Sequence, residues 1–578
     1  MSFASLNIAA SSLRAQQKAI DVLSHNMANV NTPGYSRQSP NIVTASPVSI
    51  GNLNLGRGVN LNDIQRSVDP LINNAMRENT SQFAFWNTVT SGLTTVESAF
   101  GSLDNTGLSA AVNDYFLSWQ QLSNNPQDVA QKNNVLNKSE TLTTQLNQMY
   151  TQLSNAQQSL DQDINQQIDA ANLKIDAIAS LSNQIKSQEA SQQGASSAAN
   201  DLRDQRDEAI RQLAQIIPIQ QVNTQDGNVL IQTKGGDMLT HDGTARHLQR
   251  GNTTGANGFR DIVIQGKNAP IQGLDTGGSL GGLLALRDGN FQSYMDSLDS
   301  FAANLAYTTN QVHSSAGGGT RASIVQSGQG ALNPALALND PSQGVTFAGQ
   351  VQAGSFSLHV YDATGTPLTP SSDFTINLAA GATMNDVVTA INASGSGVTA
   401  SVDIAGRLNL DAGANTMAFS NDTSNFLAAY EVNSFFHGAT AGNIVVSQQV
   451  QNNASAINTG SIAQGSSLIF AGDNTAAVQI MNLQDQALSV DGSPAASLHS
   501  RISTLSSQYG LDVGLANQQG AYRQAEADSL TQQRDAVSGV NVDEELIAMM
   551  KFQRAYEASA KVISTSNQMM DSLMGILR

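Results

Sequence analysis

The chain contains no cysteine, so its fold owes nothing to disulfides or thiolate metal sites, and no thiol can act as a nucleophile. Charge is scarce, at 13% of residues, and leans acidic: Lys+Arg 28 against Asp+Glu 46, a formal net charge of −18. That balance argues against nucleic acid and anionic membrane as main partners, and implies copies that repel until specific contacts form. No run approaches the roughly 20 apolar residues of a membrane span. The opening MSFASLNIAASSLRAQQ has no basic stretch followed by an apolar core, so a cleavable signal peptide is not expected. The seven histidines are scattered, without HxxxH or HExxH; His241 and His247 are six residues apart in a turn-rich stretch, which is not ligand spacing. No catalytic, cofactor-binding or metal-binding residues are expected. Trp86 and Trp119 read as core packing.

Gln, Asn, Ser, Thr and Ala are abundant instead, arranged in long helical patterns. In Leu6–Gln38, Leu6, Leu13, Ile20 and Met27 recur every seven residues, with Ala9, Leu23 and Val30 between them. That is a seam for a partner helix. Thr32-Pro33-Gly34-Tyr35 places Pro second and Gly third in a tight turn, so the helix ends before it. At the other end, Asn541 with Glu544 reads as a helix start. Met549, Tyr556, Ile563, Met570 and Leu577 then recur every seven residues, with Leu546, Ala560 and Leu573 between them. Two stripe-bearing helices at opposite ends of one chain are expected to pair with each other, with other copies, or with both.

Between them, helical patterning runs from Asp69 to about Leu213, broken at Asn124-Asn125-Pro126. Leu142–Ile185 has a coiled-coil repeat with a stutter near Ile164, read as a rod-like hairpin arm. In NDLRDQRDEAIRQL, Asn200 is a candidate cap. Asp201, Asp204 and Asp207 alternate with Arg203, Arg206 and Arg211, which reads as a solvated, self-paired face. Ile216–Ile264 shows strand runs separated by Asp226-Gly227, Gly235-Gly236 and Asp242-Gly243. TGGSLGGLLALRD lacks the spacing of a phosphate loop. Beyond the Ser314–Gly319 hinge, Phe356-Leu358-Val360, Phe374-Ile376-Leu378, Val398-Ala400-Val402 and Leu408-Leu410 alternate as strands around a short helix, 383–393.

These stretches carry a resemblance. Leu13, Asn26, Asn29, Asn31, Thr32, Pro33, Gly34, Tyr35 and Arg37 resemble the N-terminal motif of the flagellar rod, hook and hook-associated axial proteins. Asn541, Asp543, Glu545, Leu546, Arg554 and Tyr556, within NVDEEL and QRAY, resemble their C-terminal motif. The 56–69 stretch, the 200–213 helix, TGGSLGGLLALRD and the β-α-β-β unit from Ala382 to Leu410 are similar to segments of hook-associated proteins at the hook–filament junction.

The resemblance implies a structural axial protein that self-assembles through its terminal helices into a ring between hook and filament. Its neighbours would be the hook protein and another hook-associated protein. It also implies uncleaved export to the extracellular flagellum, with an export chaperone on the C-terminal helix. Another axial component such as the hook protein, or a scaffold with a hydrolase in the insert, are the alternatives.

The fold class expected is multidomain α + β: terminal α-helical coiled coil, a long helical bundle arm and an inserted β-rich outer domain. The divisions are 1–68, 69–215, 216–320, 321–460, 461–537 and 538–578. The assembly seam is expected at Leu6, Leu13, Ile20, Met27, Leu546, Met549, Tyr556, Ile563 and Met570.

Overall fold

The computed structural model describes residues 3–50, 53–101, 107–191, 199–223, 229–255, 257–369, 371–463, 465 and 467–576. The expected loop at 192–197, the Asp226-Gly227 turn and Leu577 lie outside the described residues, as does the side chain of Leu573. The helices in chain order are α1 (Phe3–Ala28), α2 (Pro70–Thr95), α3 (Glu97–Gly101), α4 (Leu108–Asn124), α5 (Val129–Ser191), α6 (Asn200–Ile216), α7 (Gly278–Leu284), α8 (Phe291–His313), α9 (Met384–Ala393), α10 (Phe426–Ala429), α11 (Gln448–Asn452), α12 (Thr475–Asn482), α13 (Leu498–Ser538) and α14 (Val542–Ile576). With several small antiparallel sheets, this is the multidomain α + β class expected. The chain divides into two compact units: residues 1–92, 160–288 and 514–578 form one, and 93–159 and 289–513 the other.

In the first unit, α1 is followed by β1 (Gln38–Thr44), β2 (Val48–Ile50), β3 (Leu53–Leu55) and β4 (Val59–Arg66). β1 pairs with β4, the register shifting between Asn41 and Ile42. Pro70 opens α2 where no backbone amide is needed, and Asp69 Oδ1 accepts from the Leu71 amide at 2.8 Å. A four-stranded sheet follows, β5 (Ile219–Asn223), β6 (Val229–Thr233), β7 (Met238–His241) and β8 (Thr244–Ala245), then the ribbon of β9 (Leu248–Thr254) and β10 (Arg260–Ile264). Asp242 and Gly243 both have positive φ, at 52° and 75°, as a two-residue hairpin turn requires.

α5 is a single helix of 63 residues, and its stripe in this unit, Ile164, Ile168, Ala171, Ile175 and Ile178, is buried. Its polar flank holds the sheet region: Asn172 bonds both backbone groups of Leu248, at 2.8 and 2.9 Å, and Asp161 takes Arg250 at 2.8 Å. The glycines of TGGSLGGLLALRD serve close packing. A Cβ at Gly278 would run into the Ile216 carbonyl, and one at Gly282 would meet Phe85 O at 2.8 Å and Thr88 on α2.

The second unit centres on α8, which is buried along most of its length, and on two three-stranded sheets. β11 (Ile324–Gly330) pairs with β15 (Arg407–Asp411), which pairs with β14 (Thr399–Val402). β12 (Gly354–Tyr361) lies between β13 (Asp373–Leu378) and β16 (Thr416–Ser420). Between β13 and β14, Thr383 and Asp386 close a reciprocal cap on α9. The core between these elements includes Phe356, Leu358, Phe419, Phe426 and Tyr430. Trp119 is fully buried beside Phe435.

Candidate assembly site at the paired chain ends

α1 and α14 lie antiparallel. Ser12 Oγ meets Ser559 Oγ at 2.9 Å near one end, and Asn26 meets Glu545 near the other, in the same register. The side chains buried on α1 are mostly small, Ala9, Ala15, Ala19 and Val22, with Leu23 and Asn26 beside them. Small residues bring the two backbones close. The larger residues Leu6, Leu13, Ile20 and Met27 therefore flank the contact, half-buried, as do Met549, Tyr556 and Ile563; Leu546 and Met570 are exposed.

The helix end is fixed locally. Asn29 donates to the His25 carbonyl at 3.0 Å and accepts from Thr32 Oγ1 at 3.1 Å. The Tyr35 amide closes on Thr32 O at 3.2 Å with Gly34 at φ +80°, the tight turn expected with glycine third. Asn31, Thr32 and Pro33 face solvent. On the other side, Asn541 Oδ1 accepts from the Asp543 amide at 3.0 Å and starts α14; Asp543 and Arg554 are exposed.

The turn aims Tyr35 back at α1. Its hydroxyl donates to Asn26 Oδ1 at 2.7 Å, and the Gln38 amide donates to the same oxygen at 3.0 Å. Asn26 Nδ2 donates to Gln38 O at 2.8 Å and to Glu545 Oε2 at 2.9 Å. Arg37 Nε donates to Glu545 Oε1 at 2.7 Å. Asn26 and Glu545 are both 0% exposed, so each polar atom needs these partners. Burial, with the carboxylates of Asp201, Asp204 and Glu545, pushes the Tyr35 phenol well above its ordinary range, which keeps it a donor.

α6 completes the site, and here the solvated-face reading is corrected. Asp204 is buried, accepts from the Ser36 amide at 3.1 Å and binds Arg66 at 2.6 Å. Asp207 takes Arg66 at 3.0 Å, and Asp201 takes Gln38 Nε2 at 2.8 Å. Burial alone would weaken the Arg66 charge, but Asp207 and Asp204 outweigh it and raise its pKa. Asn200 does not cap α6: its amide donates to Ile64 O at 2.8 Å. Gln38 thus bonds the motif residue Asn26 directly, and Asp201, Asp204 and Arg66 are linked to the motif through Gln38 and Ser36. Arg66 lay in the 56–69 stretch, but nothing local tied it to Asp204.

No metal-holding group of three His, Cys, Asp or Glu occurs among the described residues. In the second unit, His359 sits between Ser420 Oγ at 2.7 Å and Ser467 Oγ at 2.8 Å, with Asp373 at 3.8 Å from the same nitrogen as Ser467. Both serines are buried, and the carboxylate and Ser467 compete for one ring nitrogen in a packed polar network.

Residues 6–35 match the family model of the flagella basal body rod protein, and 531–576 match the C-terminal model of the flagellar basal body rod FlgEFG proteins. Residues 355–414 match the flagellin hook IN motif. The chain belongs to the axial proteins of the bacterial flagellum. Within that class, residues 93–320 match the helical domain of the flagellar hook-associated protein FlgK. Along its whole length the chain is similar to flagellar hook-associated protein 1. It is 27% identical to that of Escherichia coli K12, covering 99% of both chains, and 26% identical to that of Salmonella typhimurium, again 99% of both. It is 22% identical to that of Bacillus subtilis, over 99% of this chain and 98% of the relative.

Proposed function

We propose that this chain is a structural protein of the flagellar axis that forms the junction between hook and filament, assembling through its terminal helices and turning over no substrate. The observation that carries this reading is the closure of the two end motifs on one another, Asn26 and Arg37 on Glu545, while α14 keeps an open apolar edge. Ile547 is 64% exposed and Met550 52%, with Leu546 and Val562 beside the same helix contact. Burying such side chains against neighbours contributes roughly 1.5–3 kcal/mol each before ordering costs.

The partners are then other copies in a ring, the hook protein on one side and another hook-associated protein on the other. The chain reaches the cell exterior by flagellar export, with a chaperone covering the apolar edge of α14 until assembly. Immunogold labelling tests this: label in a band at the hook–filament boundary is expected, and label along the whole hook would contradict it.

A further inference from the structure

A groove of about 570 Å³ runs between α1 and β4. Gly58, at φ +93°, lets β4 lie against α1, because a Cβ there would strike Ser11 Oγ. Along the groove Arg14 and Lys18, one helical turn apart, are exposed, and neither has a carboxylate within 4 Å among the described residues. Asp21 is the acidic group that shares the lining, and Val59 and Leu61 give the floor an apolar part. The pair makes this groove locally basic in a chain of net charge −18.

The same chain carries a complementary ridge. At the start of α14, Asp543 and Glu544 are exposed, Glu544 lying 3.8 Å from Arg37, and the apolar residues Val542, Leu546 and Ile547 stand beside them. Within one copy the ridge cannot enter the groove. The antiparallel register sets Lys18 level with about Gln553, so Asp543 is about 15 Å further along the axis.

We propose that the Arg14/Lys18 groove receives the Asp543/Glu544 end of α14 from a second copy of this chain. Groove and ridge are different surfaces, so the contact is head-to-tail and builds a ring or helix of copies, not a closed two-fold dimer. This rests on the assembly reading above and names the contact within it.

The absence of native cysteine makes the test direct. In full-length protein assembled on cells, a Lys18→Cys/Asp543→Cys variant should form disulfide-linked copies under mild oxidation. The separation within one copy exceeds the roughly 7 Å Cα limit of a disulfide, so a bond reports two copies. Arg14→Glu/Lys18→Glu should cut incorporation at least tenfold, and co-expressed Asp543→Lys/Glu544→Lys chains should restore it. A wild-type band at the junction without crosslinking, or loss without rescue, would overturn the second copy as occupant and leave the assembly reading standing. Absence of the wild-type band would overturn both.

Discussion

Asn26 and Glu545 are 519 positions apart in the chain and hydrogen-bonded side chain to side chain at 2.9 Å, both out of contact with solvent. A carboxylate in that position is tolerable only because Arg37 and Asn26 match it. Each end of the chain therefore supplies what the other needs, and neither docks well alone. Asn26→Leu keeps the volume and removes the amide, leaving Glu545 half-matched. The paired ends should lose about 3 kcal/mol, seen as faster proteolysis of 1–65 and 540–578 while the second unit persists.

The turn that aims Tyr35 depends on backbone conformation. Gly34 sits at φ +80°, and a Cβ there would also press on Glu208 at 3.3 Å. Gly34→Ala should cost about 1–2 kcal/mol in the same proteolysis measurement, and Gly34→Asn, which tolerates the left-handed region better, should cost less.

Two buried groups in the second unit give opposite pH dependences. His313 accepts the Asn458 amide on Nε2 at 3.1 Å, its Nδ1 lies 3.1 Å from Asn433 O, and Lys132 is nearby. Burial, with the Lys132 charge, pushes it down to about 4. Its contribution is whole above about 6.5 and is lost as pH falls through about 4, on the order of 3 kcal/mol in total. His313→Gln should flatten the acid limb of an unfolding-versus-pH curve followed by Trp119 fluorescence.

Glu431 behaves the other way. Its Oε1 accepts from Gln329 and Gly438, both at 3.0 Å, while Oε2 is buried without a partner. Burial pushes it up to about 7, so stability present below about 4.5 is lost as pH rises through 7, again on the order of 3 kcal/mol. Glu431→Gln should unfold later than wild type at pH 8 and show little gain at pH 4.

What could be read from the sequence was what is local. The Thr32–Tyr35 turn, the reciprocal cap Thr383/Asp386 and the alternating strands of 354–411 depend on neighbours a few residues away. The heptads pointed to pairing of the chain ends, but a seven-residue repeat does not say which side of the stripe is innermost. Ala15, Ala19 and Val22 take that place because small side chains permit the closest approach. The polar box was not legible, because Asp204 in a helix of interleaved charges reads the same whether it faces water or Arg66. Arg66 is brought to it by β4, far away in sequence.

The central claim is that the open edge of α14 serves contacts between copies. Its most direct test measures monomer unfolding and incorporation at the hook–filament junction for Ile547→Asp/Met550→Asp in the same full-length protein. The expected result is unchanged monomer unfolding, to within about 0.5 kcal/mol for exposed sites, together with loss of the junction band. Equal loss of stability and incorporation, or a retained band, would contradict it.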